Sequence, residues 1–284
     1  MKQTIRMESL APTYCMLDGI TFAQVPYWFP FYDTRDLKLN LLRPFSAPED
    51  RRPLLVWICG GAFITMDRSA HTPYLLKYVE KGYIVASIEY RRSNSGHFPA
   101  PLEDVKSAIR YLRAHADAFG IDPARVAVMG ESAGGYLAGM AGVTGGTREF
   151  DKGEHLEQSS AVQAVVDFYG PGGLSSAAPA DDPMGRPRPD QMLLGYTASC
   201  DPAAAAKADM NHYIDAHTPP FFILHGTADP FVAPAGSERL YEDLQKAGVR
   251  AELRMIEGAG HASPHFYQDS LCTEILAFLD SILR

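Results

Sequence analysis

Six short, nearly continuous apolar runs recur along the chain: Leu54-Leu-Val-Trp-Ile58, Ile84-Val-Ala-Ser-Ile88, Val126-Ala-Val-Met129, Val162-Gln-Ala-Val-Val166, Phe221-Phe-Ile-Leu224 and Leu253-Arg-Met-Ile256. A strand with one wet face alternates apolar and polar residues, so runs without alternation predict strands covered on both faces, as in a mostly parallel sheet. Helical periods lie between them. Leu102, Val105, Ile109 and Leu112 form one stripe, and Leu271, Ile275, Phe278, Leu279 and Ile282 form another, each at the spacing of a helix with one buried face. Pro99 and Pro101 precede the first stripe and Gly120 follows it, the usual start and stop residues. Strand and helix alternate, which predicts an α/β fold: a doubly wound, mostly parallel sheet with helices on both faces. Phe22 to Phe31 and Leu37 to Leu42 read differently, as antiparallel strands or loop leading into it.

Composition agrees with a compact folded protein. Of 284 residues, 46% are hydrophobic and 21% charged, far from the composition of a disordered chain. The formal net charge of −8 offers no general attraction to nucleic acid or anionic lipid. No apolar run approaches the ~18 residues of a membrane helix, and the N-terminus lacks a signal-peptide core, so a cytoplasmic protein without nucleic-acid or membrane partners is expected. Cys15, Cys59, Cys200 and Cys272 show no paired or ligand spacing, which predicts free thiols and no metal site. The organisation expected is an N-terminal segment, residues 1–35, before one α/β domain, residues 36–284. The irregular stretch from Pro171 to Pro189 is too short for a second domain.

The chemistry is written in Arg125-Val-Ala-Val-Met-Gly-Glu-Ser-Ala-Gly-Gly-Tyr-Leu-Ala138. An apolar strand ends at Gly130, Ser132 occupies the turn, and Gly134, Gly135 and Ala138 open a helix. G-x-S-x-G in this strand–turn–helix context is a nucleophile elbow. A nucleotide-binding turn with an incidental serine is the bland alternative, but neither G-x-G-x-x-G nor G-x-x-x-x-G-K-[ST] is present.

A serine hydroxyl needs a base to take its proton and an acid to orient that base. His261 lies in a flexible loop after the last apolar run, Glu257-Gly-Ala-Gly-His261, with His265 its nearest rival. Asp229 follows the preceding run in His225-Gly-Thr-Ala-Asp229, and Asp167, one strand earlier, is the competing acid. Loops at the carboxyl ends of parallel strands are where such groups meet. After the first apolar run comes Cys59-Gly-Gly-Ala-Phe63. There the N–H groups of Gly61 and Ala62, with that of Ala133, are candidates for an oxyanion hole.

In this order the motifs resemble those of α/β-hydrolases in the hormone-sensitive-lipase-like carboxylesterase group, in particular small bacterial acetyl- and feruloyl-esterase-like enzymes. The likeness also runs through Ile88-Glu-Tyr-Arg91, Phe98-Pro-Ala-Pro-Leu-Glu-Asp104 and Val166-Asp-Phe-Tyr-Gly-Pro171, and covers roughly residues 35–284. Two residues depart from it: Cys59 stands where that group usually has His, and Ala62 where it usually has a third Gly. The resemblance implies hydrolysis of short-chain acyl or aryl esters, with Ser132 as nucleophile, His261 as base, Asp229 as acid and no cofactor. Other acyl hydrolases, amidases or peptidases, share this fold and triad, and a non-catalytic relative would be expected to have lost a triad residue. Phe63, Ile64, Tyr169 and Pro171 are the expected walls of the acyl pocket. The aromatic cluster Tyr27, Trp28, Phe29, Phe31 and Tyr32 is either a partial cover or core. The partner is a small-molecule ester, and a homodimer is left open.

Overall fold

The computed structural model describes residues 1–27, 33–45, 51–173, 189–196 and 200–284. Strands β1 (Tyr14–Tyr27), β2 (Asp33–Pro44), β3 (Arg52–Ile58), β4 (Ile84–Ile88), β5 (Ile121–Glu131), β6 (Ala164–Phe168), β7 (Phe221–Gly226) and β8 (Ala251–Ile256) make one sheet in the order β1-β2-β4-β3-β5-β6-β7-β8. The β1/β2 and β2/β4 pairs are antiparallel and the other five are parallel. The six apolar runs are the six parallel strands.

The reason they are apolar throughout is visible along β3. Leu54, Val56 and Ile58 enter one hydrophobic cluster, while Leu55 and Trp57 enter another on the opposite face. Helices α2 (Ala100–Ala114), α3 (Ala116–Phe119), α4 (Ala133–Val143) and α7 (Pro234–Lys246) supply the first cluster, and α1 (Thr72–Glu80) and α8 (Asp269–Leu283) the second. Short helices α5 (Pro189–Leu194) and α6 (Pro202–Lys207) lie between β6 and β7 in the chain. Every residue of α4 is buried, so this helix, which begins at the elbow, needs no polar face.

Two features hold outer segments to this frame. Lys106, Arg110 and Arg113 sit at i, i+4 and i+7 of α2, all buried. They reach over to carbonyls and to Asp151 of the 144–160 segment. Gly120, after α3, adopts φ 75°, the left-handed stop its position predicts. The 1–45 region forms antiparallel strands, and β1 is part of the same sheet. Trp28, Phe29, Phe31 and Tyr32 of the expected cover, and most of the 171–189 stretch, fall outside the described residues. Among the described residues no helix is long and apolar enough to cross a membrane, and Cys15, Cys59, Cys200 and Cys272 are all free.

Candidate active site

Ser132 lies between β5 and α4 with φ 52° and ψ −120°, a conformation that costs a non-glycine residue about 1–3 kcal/mol and persists only where the surroundings impose it. The imposing contacts are close. A Cβ on Gly134 would stand 2.0 Å from Ile58 O, so only glycine lets α4 start against the end of β3. Ser132 N–H donates to Phe168 O at 2.8 Å, tying the turn to β6.

Two loops bring side chains to the serine. His261, beyond β8, has Nε2 2.9 Å from Ser132 Oγ and Nδ1 2.7 Å from Asp229 Oδ2, Asp229 lying beyond β7. Asp229 Oδ1 accepts N–H bonds from Phe231 and Val232 at 2.8 and 3.0 Å. Burial works to raise the Asp229 carboxyl, but hydrogen bonds from His225 and His261 together with the Val232 N–H hold it well below the usual carboxylate range. The rings of Tyr169 and Phe231 stand edge-on to the His261 imidazole, at centroid distances of 4.8 and 5.7 Å. His265 is exposed and lies against Ser263. Asp167 is fully buried, and its Oδ1 accepts from Gly170 N–H at 2.9 Å. Its Oδ2 has no partner among the described residues, and burial pushes the carboxyl up to about 6. The structure therefore joins Asp229, not Asp167, to His261.

The loop after β3 folds against the nucleophile. Gly61 has φ 126°, and its carbonyl accepts from the N–H groups of Ile64 and Thr65, both at 3.0 Å. A Cβ added at Gly60 would come within 3.0 Å of Ser132 Cβ. The N–H groups of Gly61, Ala62 and Ala133 have no hydrogen-bond partner among the described residues. Ala62 tolerates φ 54° in place of glycine. Of the expected pocket walls, Phe63 is 1% exposed and packs edge-on to Tyr136, because φ 60° turns it into the core. Tyr169 and Pro171 are buried, and Ile64, at 44%, is open to solvent.

Sequence reasoning missed the groups behind the loop. Glu131 is buried, and its carboxylate accepts from Gly60 N–H at 3.2 Å and Tyr169 O–H at 2.7 Å, with the Cys59 thiol 3.6 Å away. His71, from the turn before α1, lies 3.9 Å from Cys59 Sγ, with its Nε2 3.2 Å from the Tyr267 hydroxyl. Cys59, His71 and Glu131 thus gather a thiol, an imidazole and a carboxylate within 4.8 Å. Burial pushes the thiol up to about 12, and both carboxylate oxygens are already engaged, so the cluster is complete as a hydrogen-bonded set. His225, buried beside Asp229, was also missed. The available signals are that Glu131 is the first x of the G-x-S-x-G motif and that His225 opens the run His225-Gly-Thr-Ala-Asp229; nothing local marks His71.

The BD-FAE family profile matches residues 39–244. The chain belongs to the BD-FAE family. It is 33% identical over 208 residues to Esterase LipQ of Mycobacterium tuberculosis, covering 73% of this chain and 49% of that protein. With isoprenylcysteine alpha-carbonyl methylesterase ICME of Arabidopsis thaliana it shares 27% over 275 residues, 91% of this chain and 63% of that one. The chain spans about half the length of the first of these curated relatives. Among solved structures, a truncated carbohydrate esterase from gut microbiota superposes with a TM-score of 0.79 at 25% identity, covering 94% of this chain and 95% of that one. Esterase 2 of Thermogutta terrifontis with butyrate bound gives 0.70 at 28% identity, covering 87% and 88%. The architecture is the α/β-hydrolase fold.

Proposed function

We propose that this BD-FAE protein is a serine carboxylesterase acting on short-chain acyl or aryl esters, with residues 36–284 as its catalytic unit. The observation that carries the reading is the unbroken chain from Ser132 Oγ through His261 to Asp229, at 2.9 and 2.7 Å, beside three N–H groups without partners among the described residues. Ser132 Oγ attacks the ester carbonyl while His261 Nε2 takes its proton, and Asp229 accepts from Nδ1–H and steadies the imidazolium. The carbonyl oxygen becomes an oxyanion facing the N–H groups of Gly61, Ala62 and Ala133. Collapse expels the alcohol, which leaves with the proton from His261. Water then gives a proton to His261 and attacks the acyl group, and Ser132 regains its hydrogen as the acid departs.

Two findings support a short acyl chain. One structural relative, Thermogutta esterase 2, holds butyrate, and Tyr169 and Pro171 are buried beside the site, so that these two, among the described residues, present little wall for a long chain to cover. Each methylene that finds no apolar contact forgoes ~0.8 kcal/mol. The test is kcat/KM on p-nitrophenyl esters from acetate to dodecanoate, alongside Ser132→Ala. A steady decline with chain length and near-complete loss in the variant are expected. An optimum at ten carbons or more overturns the substrate class, and retained turnover in Ser132→Ala overturns the nucleophile.

A further inference from the structure

Asp229 is flanked by two imidazoles. His225, in β7, is wholly buried, with Nδ1 2.7 Å from Ser237 Oγ of α7 and Nε2 3.1 Å from Val232 O. Its Nε2 is also 3.3 Å from Asp229 Oδ2. A carbonyl and a carboxylate oxygen can only accept, so Nε2 carries the hydrogen and Nδ1 accepts from the Ser237 hydroxyl. Both ring nitrogens are thereby assigned by their neighbours. The Oδ2 that lies 3.3 Å from His225 Nε2 is also the one 2.7 Å from His261 Nδ1, while Oδ1 is taken by the Phe231 and Val232 N–H groups. Donors on one carboxylate compete for its charge.

We propose that His225 is a positioning residue for the triad: its Nε2–H fixes the rotamer of Asp229 and draws charge from Oδ2, which limits how firmly Asp229 holds a proton on His261. This rests on the triad reading above. Without the His225 donor, Asp229 turns more freely, which lowers kcat, and binds the imidazolium more strongly, which moves the acid limb of the pH–rate profile to higher pH. KM is little changed, because His225 does not reach substrate. Facing His261 are Asp229, Ser132 and the Tyr169 ring, whose hydroxyl bonds Glu131. Facing His225 are Asp229, Ser237 and, from β6, the buried carboxyl of Asp167.

The deciding pair is His225→Gln and His225→Asn. A glutamine amide reaches the place of Nε2 and can donate to Asp229; an asparagine amide reaches only the place of Nδ1, beside Ser237. Full-length variants are compared by kcat and KM on p-nitrophenyl acetate from pH 5 to 9, and by NMR titration of the His261 ring resonances. His225→Asn is expected to lose about 10- to 100-fold in kcat, with KM held within about threefold and both acid-limb and NMR midpoints displaced upward by about half a pH unit or more. His225→Gln should restore both midpoints and most of kcat. Ser237→Ala, which disturbs the packing of His225 but leaves its Nε2–H in place, should lower the melting temperature without moving either midpoint. Equal behaviour of the Asn and Gln variants, or unmoved midpoints in His225→Asn, overturns the proposal. Absence of wild-type ester hydrolysis instead sinks the esterase reading and leaves the NMR arm to decide the His225–Asp229 coupling.

Discussion

Glu131→Gln removes a charge from the group that fastens the loop after β3 while keeping its size. The carboxylate accepts from Gly60 N–H on one oxygen and from Tyr169 O–H on the other. Glutamine has one acceptor oxygen, so its amide nitrogen must face one of these donors. Tyr169 O–H makes the shorter bond and can rotate to suit, whereas Gly60 N–H is fixed by the backbone. Tyr169 Oη therefore accepts from the amide while the amide oxygen keeps the Gly60 N–H, and what Gly60 loses is the acceptor's charge: a bond to a charged group is worth about 1.5–3 kcal/mol and a neutral one about 0.5–1.5. If the Gly60 bond is what seats the loop, a weakening of about 1–1.5 kcal/mol converts at 1.36 kcal/mol per decade into a fall in kcat of about 5- to 13-fold. KM should stay within about threefold, because Gly60 holds the N–H groups of the next two residues in place and does not itself touch the ester. The assay is steady-state hydrolysis of p-nitrophenyl acetate with a thermal melt of the same sample. A folded variant that loses less than about threefold in kcat refutes the argument, since the loop would then be seated by its own turn at Gly61. Tyr169→Phe supplies the comparison: it removes the other bond and should cost less if the Gly60 tether dominates.

Asp229→Asn should lower kcat by about 10⁴ on the same ester, while Asp167→Asn, which has no bond to His261, should leave kcat within a few-fold; the reverse order would transfer the acid role. Asp151→Asn strips the carboxylate from fully buried Lys106 and Arg110 and should cost about 3–5 kcal/mol of stability, seen as a lower melting temperature with kcat intact. Burial lowers Lys106 to about 8 from an ordinary 10.5, so between those values the unfolded chain binds more protons and unfolding free energy should rise with pH. Urea melts at pH 8 and 10 measure that slope, and its persistence in Lys106→Met would exclude Lys106 as the cause.

The parallel strands and the elbow were legible because each is dictated locally: two covered faces demand unbroken apolar runs, and a sharp strand-to-helix turn demands glycine on either side of Ser132. Strand β1 was less so. The sequence pattern marks it only from Phe22, whereas it starts at Tyr14, because the segment around Asp18-Gly19 breaks alternation where the pairing shifts register between Leu17 and Ile20. The parts of the site that escaped notice are fixed by distant partners. Glu131 meets Gly60 across 71 positions and Tyr169 across 38, and no pattern in a short window encodes either contact. Phe63 misled for a related reason: its place after the glycines suggests a pocket wall, but its backbone conformation points it into the core.

Backbone strain in this protein is concentrated where the chemistry is proposed. Six described non-glycine residues have positive φ, and five of them, Ala62, Phe63, Ser132, Tyr169 and Ala262, lie in the loops around Ser132 and His261. These loops leave the sheet at matched heights: Ile58 pairs with Gly130, Gly130 with Asp167, and Gly226 with Ile256. Beyond the ladder, backbone bonds continue from loop to loop, with Ser132 N–H to Phe168 O, Tyr169 N–H to Leu224 O and Thr227 N–H to Ile256 O. At about 1–3 kcal/mol each, such conformations would relax if any loop were held by its own residues alone. They are held because each loop is bonded to the next strand, so the register of the parallel sheet sets the spacing of Ser132, His261 and Asp229. A one-residue slip in the pairing of β5 with β6 would therefore displace the serine, the Glu131 fastener and the Tyr169 contact to His261 together.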